Sequence, residues 1–221
     1  MPRTITALKA QKRNPGRINV YLDGEFAFGL ARIVAAWLQV GQELSEEKVA
    51  ALRAEDEYEV AHQQALKLLN YRPRSEEEIR KNLKEHGFPE PVIESTIQRL
   101  RDSGLVDDAR FARSWVENRN EFRPRSRRAL AFELKRRGIS GQALDSALED
   151  TDDEEMAYQA ARKQAHKLEG QEWADFRTKM LAFLARRGFS YSNAAAAASR
   201  VWADIHSDHN DQTTTYEEVD L

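Results

Sequence analysis

Two loops in this chain carry the same four residues, Arg72-Pro73-Arg74-Ser75 and Arg123-Pro124-Arg125-Ser126, preceded by Tyr71 and Phe122. A guanidinium is a planar fork of donors that meets a phosphate or carboxylate through two parallel hydrogen bonds, and proline stiffens the turn that carries it. Arg127, Arg128 and Lys135 extend the positive charge past the second loop. Arg128 and Lys135 stand seven residues apart and so share one face of a helix. Arg72, Arg74, Arg123, Arg125, Arg127, Arg128 and Lys135 are therefore the candidate binding surface, suited to a nucleic-acid backbone or an acidic protein groove. The competing account is two solvated loops whose arginines pair with nearby glutamates and whose identity reflects duplication. The residues alone leave both open.

Other side chains point to structure rather than chemistry. Arg136, Arg137, Arg186 and Arg187 fall where predicted helices end, and cations are favoured at that negative end of the helix dipole. Asp107, Asp108 and the run Asp152-Asp153-Glu154-Glu155 directly precede predicted helices, where carboxylates cap free amides. His62, His86 and His166 are scattered, and His206 and His209 lie in a polar terminal segment, so no metal site is expected. The chain has no cysteine, which excludes disulfides and thiol chemistry. It also lacks a phosphate loop, a nucleophile elbow and a dinucleotide fingerprint. No catalytic residue and no cofactor are expected. Trp37, Trp115, Trp173 and Trp202 read as core aromatics.

The elements that must hold the basic residues announce themselves by repetition. Gly87-Phe88, Gly138-Ile139 and Gly188-Phe189 each follow a leucine by four residues, at a period of about 50 residues, which marks a duplicated unit. Each unit reads as three helices. In the first, Glu57 to Asn70 is helix one, Ser75-Glu76-Glu77-Glu78 is a capping box opening helix two, Gly87 ends it, and Ile93, Ile97 and Leu100 line helix three. Leu130, Leu134, Leu144 and Leu148 take the matching places in the second unit. Met180 and Leu184 do so in the third, where Ala194 and Ala198 replace large residues, so that helix three either packs very closely or is covered by something else. Helix three of the second unit carries Asp145, Glu149 and Asp150 and no basic residue, so phosphates would repel it, which argues against reading DNA bases with it.

Ahead of the repeats, Ile5–Leu8, Ile18–Leu22 and Glu25–Phe28 read as a small antiparallel sheet with a hairpin at Asp23-Gly24, followed by a short helix over 30–38 and another opened by Ser45. The fold class is mainly α: three tandem three-helix repeats in an elongated curved array, preceded by a small N-terminal antiparallel β-sheet plus short helices. The boundaries are 1–55 for the N-terminal part, 56–105, 106–150 and 151–205 for the repeats, and 206–221 for a disordered acidic tail. No apolar run is long enough for a membrane helix and no signal peptide is evident, so a cytoplasmic monomer is expected. The formal net charge of −3 conceals an asymmetry: residues 119–138 hold eight basic and two acidic side chains, while 206–221 hold no Lys or Arg.

The segment Gly104-Leu105-Val106-Asp107-Asp108-Ala109-Arg110-Phe111-Ala112, the paired Arg-Pro-Arg-Ser loops and the Leu-x3-Gly-Phe/Ile turns together resemble the RecX proteins, regulators of the bacterial RecA recombinase. The resemblance implies a non-enzymatic protein that binds the RecA filament on single- or double-stranded DNA and inhibits its ATPase, strand exchange and SOS and recombination activity. In the third repeat, Trp173-Ala174-Asp175 takes the place of the Arg-Pro-Arg loop. A general nucleic-acid-binding helical module with no dependence on RecA accounts for the same basic residues.

Overall fold

The computed structural model describes residues 2–214, with side chains as far as Ser207, and divides the chain into two compact units that meet at Asp107 and Asp108. The first begins with an antiparallel sheet of β1 (Arg3–Ala10), β2 (Arg17–Leu22), β3 (Glu25–Ala31) and β4 (Glu43–Leu44), in the order β3-β2-β1-β4. Ile5 lies opposite Leu22 and Val20 opposite Phe28, and all four face the core with Leu30 and Leu44. Asp23 and Gly24 take φ of 54° and 90°, the turn whose twist matches that of the two strands it joins.

The short helix expected over 30–38 does not form. Leu30 and Ala31 are held in the ladder opposite Ile18 and Arg17, and only a 3-10 turn, Val34–Trp37, follows. That turn buries Val34 and Ala35 and leaves Trp37 88% exposed, so Trp37 is not the core residue its type suggests.

Ser45 accepts from the Lys48 amide (3.2 Å) and opens α1 (Glu46–Leu69), which continues unbroken because no glycine or proline interrupts it. The expected boundary at 55/56 thus falls inside one helix, which serves the sheet through Leu52 and the first repeat through Ala61 and Ala65. Asp56, at that boundary, accepts from the Ala31 amide (2.5 Å) and the Arg17 guanidinium (2.7 Å), tying the helix to β2 and β3. With α2 (Glu76–Glu85) and α3 (Glu90–Asp102), α1 encloses Ile79, Leu83, Ile93, Ile97 and Leu100.

The second unit holds two repeats. In one, α4 (Asp108–Phe122), α5 (Arg127–Lys135) and α6 (Gly141–Leu148) bury Phe111, Val116, Leu130, Leu134, Ile139, Leu144 and Leu148. In the other, α7 (Asp153–Ala165), α8 (Trp173–Arg186) and α9 (Tyr191–Thr214) bury Phe176, Met180, Leu184 and Phe189. Ala157, Ala160 and Ala161 of α7 and Ala194, Ala197 and Ala198 of α9 share that core. Of the two accounts of the small residues, close packing holds, since alanines on both helices let the backbones approach. Helix α9 continues past 206, so the expected tail is helical over 206–214; its remainder, 215–221, and the His209 side chain lie outside the described residues.

The recurring Leu-x3-Gly-Phe/Ile segment is a helix stop. Gly87, Gly138 and Gly188 have φ of 84°, 84° and 92°, a region closed to most side chains, and the next amide reaches back to the leucine carbonyl: Phe88 to Leu83 (3.2 Å), Ile139 to Leu134 (3.1 Å), Phe189 to Leu184 (3.3 Å). One motif thus closes helix two of every repeat and aims helix three. Among the described residues, no group of three or more His, Cys, Asp or Glu could hold a metal ion, and no helix is long and apolar enough to cross a membrane.

Candidate nucleic-acid interface

The serines that end the two Arg-Pro-Arg-Ser loops are buried helix caps. Ser75 Oγ accepts from the Glu78 amide (3.3 Å) and Ser126 Oγ from the Ala129 amide (3.2 Å). Part of the motif is therefore structural, and its arginines differ in their surroundings from one repeat to the next.

In the first repeat the arginines are neutralised. Arg72 makes two hydrogen bonds to the Glu78 carboxylate (2.9 and 3.1 Å), and Arg74 approaches the same group at 3.9 Å. Its helices are cross-linked in the same way: Arg101 pairs with Glu76 (2.6 Å), Arg99 with Glu59 (3.0 Å), and Arg80 with both Glu90 and Glu94. These carboxylates raise the affinity of Arg80 and Arg101 for their protons, and Arg80 in turn holds Glu94 below the usual carboxylate range.

The second repeat is different. Arg123, Arg127, Arg128 and Lys135 are exposed and make no ion pair among the described residues. Helix α2 opens with Glu76, Glu77 and Glu78, whereas α5 opens with Arg127 and Arg128 and has no acid in its first turn. Cations at the positive end of a helix are unfavourable by a few tenths of a kcal/mol to about 1 kcal/mol each, so the fold gains nothing from this placement. The missing acid comes from the next repeat, where Asp153 accepts from the Arg127 amide (2.5 Å) while Asp152 caps its own helix through the Glu154 amide (2.9 Å). The capping expected of that acidic run is present, one member of it across an inter-repeat contact.

Arg125 is half-buried and engages Glu133 (3.0 Å), which also accepts from Arg119 (2.9 Å) and the Trp115 indole (3.0 Å). The guanidiniums of Arg119 and Arg137 lie 4.4 and 3.8 Å from the centre of the Trp115 ring, so Arg137 is a packed side chain as well as a helix-terminal cation.

The arginine that sequence reasoning undervalued is Arg187. Its Nη1 donates to the Pro124 carbonyl oxygen (3.1 Å), and the Ser126 amide donates to the Arg187 carbonyl oxygen (3.2 Å), so the end of α8 is clamped on the loop of the preceding repeat. The guanidinium stands where Arg123 and Arg125 flank Pro124. Burial, and then the like charges of Arg125 and Arg123, pull its proton affinity below the ordinary value for arginine. The repetition of a basic pair before the glycine, Arg136-Arg137 and Arg186-Arg187, is the one sequence signal that marks the position, but nothing local says what it touches.

In the third repeat, α8 begins at Trp173 with Glu172 as its cap residue, so the residues that replace the Arg-Pro-Arg-Ser loop are Glu169-Gly170-Gln171-Glu172, and the expected match to Trp173-Ala174-Asp175 is displaced by one turn. That loop has two acids and no base. The position of Tyr71 and Phe122 is there taken by Leu168, which is buried.

Comparison with known proteins finds matches along most of the chain. Residues 3–45 match the regulatory protein RecX N-terminal domain, and 61–100, 107–148 and 152–209 match the first, second and third RecX three-helix domains. The regulatory protein RecX of Limosilactobacillus reuteri (strain DSM 20016) is 36% identical over 166 residues, 74% of this chain and 62% of that protein's length. That of Levilactobacillus brevis (strain ATCC 367) is 33% identical over 213 residues, 94% of this chain and 79% of that protein. A crystal structure described as regulatory protein RecX superposes with a TM-score of 0.67 at 32% identity, covering 86% of this chain and 96% of that one. The sheet, the three-helix repeats and these matches together place the chain in the RecX family of regulatory proteins.

Proposed function

We propose that this chain regulates the RecA recombinase without chemistry of its own, binding the RecA–DNA filament in the cytoplasm as a monomer and inhibiting its ATP hydrolysis, strand exchange and hence its SOS and recombination activity. The observation that carries the reading is the set Arg123, Arg127, Arg128 and Lys135 on the second repeat, which make no ion pair among the described residues, beside a first repeat whose arginines are paired with glutamates. A duplicated unit that pairs its arginines in one copy and in the other leaves Arg123, Arg127 and Arg128 without an ion pair among the described residues, two of them at the wrong end of a helix, has that charge directed outward to an anionic partner. DNA phosphates and acidic filament side chains both fit. Arg72, Arg74 and Arg125, held by Glu78 and Glu133, contribute less than the free row.

The test is the rate of single-stranded-DNA-dependent ATP hydrolysis by preassembled RecA filaments as the protein is titrated in. Inhibition at concentrations too low to occupy bare DNA, weakened when Arg123, Arg127, Arg128 and Lys135 are replaced together by Ala, is the expected result. The same cations serve a second reading, a general nucleic-acid-binding helical module. Steeply salt-dependent binding to bare DNA with RecA unaffected would establish that one instead.

A further inference from the structure

Phe122 is the last residue of α4 and is 62% exposed, beside the free Arg123 and the loop on which Arg187 is clamped. Its exposure is not imposed by the fold. In the third repeat the same position, just before the loop to helix two, holds Leu168 and is only 8% exposed, so a large apolar residue can be buried there. In the first repeat it is Tyr71, 86% exposed, but the adjoining Arg72 is taken up by Glu78. At this position, the second repeat alone sets an exposed ring beside an arginine with no counter-charge among the described residues, Arg123, and Arg187 of the third repeat reaches the same loop.

The charge around Pro124 is unbalanced. Arg123, Arg125 and Arg187 gather at one turn; among the described residues the carboxylate paired with one of these guanidiniums is Glu133, already shared by Arg125, Arg119 and Trp115, while Asp153 is taken up by the Arg127 amide. The Arg187 guanidinium bonds the Pro124 carbonyl and packs over the Phe183 ring (4.7 Å), but neither partner offsets the like charges of Arg125 and Arg123, so an anion at this loop is favoured, and guanidiniums suit the oxygens of a phosphate. The ring next to them adds a requirement that a phosphate alone does not meet. A phenyl face gains by stacking on a flat partner, and the bases of a duplex are already stacked on one another, whereas those of a single strand are free.

We propose that the 122–126 loop of the second repeat, completed by Arg187 of the third, is a docking site for single-stranded DNA, with an unpaired base on the Phe122 ring and the adjoining phosphate on Arg123 and Arg187. This rests on the reading that the basic row meets DNA, and it names the form of DNA and the residues that select it. Stacking is indifferent to base identity, so the site distinguishes strand state rather than sequence.

The experiment measures binding of the full chain to three labelled probes of equal length by fluorescence anisotropy: an oligo-dT strand, an abasic deoxyribose-phosphate strand and a duplex. Phe122→Ala weakens oligo-dT binding by about fivefold or more and leaves the abasic strand and the duplex unchanged, while Phe122→Trp retains oligo-dT binding. Arg123→Ala weakens both single strands and lowers the salt slope on them by about 0.7. Tyr71→Ala changes oligo-dT binding by less than about twofold. Unchanged oligo-dT binding in Phe122→Ala, an equal loss on the abasic strand, or a loss at Tyr71 as large as that at Phe122 would overturn the assignment. Phe122 and Arg123 are exposed, so these variants fold. Inhibition of RecA ATPase is read on the same samples: stacking through Phe122 with RecA untouched removes the function proposed above and keeps this site, and inhibition with Phe122 inert does the reverse.

Discussion

Gly188 at the end of α8 lies directly against Ser126, the cap of α5: a β-carbon added to Gly188 would stand 2.6 Å from Ser126 Oγ and 2.8 Å from Ala129 Cβ. Gly87, at the same place in the first repeat, has φ of 84° and nothing within 4 Å. Replacing either by Ala strains the left-handed backbone by about 1–2 kcal/mol. Gly188→Ala additionally drives a methyl group into a buried cap, so its loss of stability in urea denaturation is expected to exceed that of Gly87→Ala by about 1–3 kcal/mol. Equal losses would show that the contact between the second and third repeats yields freely.

Arg128 sets stability against binding. Exposed in the first turn of α5 and without an ion pair among the described residues, it opposes the helix dipole. Arg128→Glu should raise stability by about 0.3–1 kcal/mol and weaken DNA binding, with a shallower salt dependence. Parallel urea melts and anisotropy titrations check both signs.

Glu133 neutralises the loop from behind. Glu133→Gln removes the charge that holds Arg119 and Arg125, costing about 1–3 kcal/mol, and releases Arg125 toward solvent. Tighter binding to single-stranded DNA by a less stable protein is the expected combination, measured by anisotropy and thermal melting. Weaker binding would mean that Glu133 positions Arg125 for its partner.

His62 makes the first unit sensitive to acid. Burial first, then Arg99, pull its proton affinity below the ordinary histidine value, against the opposing effect of Glu59. The folded state therefore keeps the imidazole neutral while the unfolded chain takes up a proton as pH falls through about 6.5. Its contribution to stability is complete above that value and is lost as pH falls toward the lower folded value. His62→Gln should flatten the fall in urea midpoint between about pH 7.5 and pH 5.5, and an unchanged slope would assign that fall to other groups.

The repeats were legible because their signals are short-range. A leucine, a glycine in left-handed conformation and the next apolar residue form a closed hydrogen-bonded turn within six residues, and Ser75 and Ser126 cap helices three residues away. That the boundary at 55/56 falls within a continuous helix is not legible, for the opposite reason. Nothing in residues 46–69 breaks a helix, and the change of partner from sheet to repeat happens along a continuous α1, marked only by Asp56 reaching Arg17 and Ala31. Trp37 was misplaced because residue type predicts burial only on average, and in a turn of four residues the side that faces inward is set by what the turn rests on.

By itself the sequence determined where helices start and stop, that the unit is threefold, and which segment is rich in cations, since each depends on residues within about one helical turn or on composition. Which of those cations are free was decided only by tertiary structure. Arg72 and Arg125 meet glutamates on a helix that follows their loop, and Arg187 meets Pro124 across sixty-three positions of chain. A long flexible cation takes the nearest acceptor in space, and the chain must be folded before that acceptor is defined.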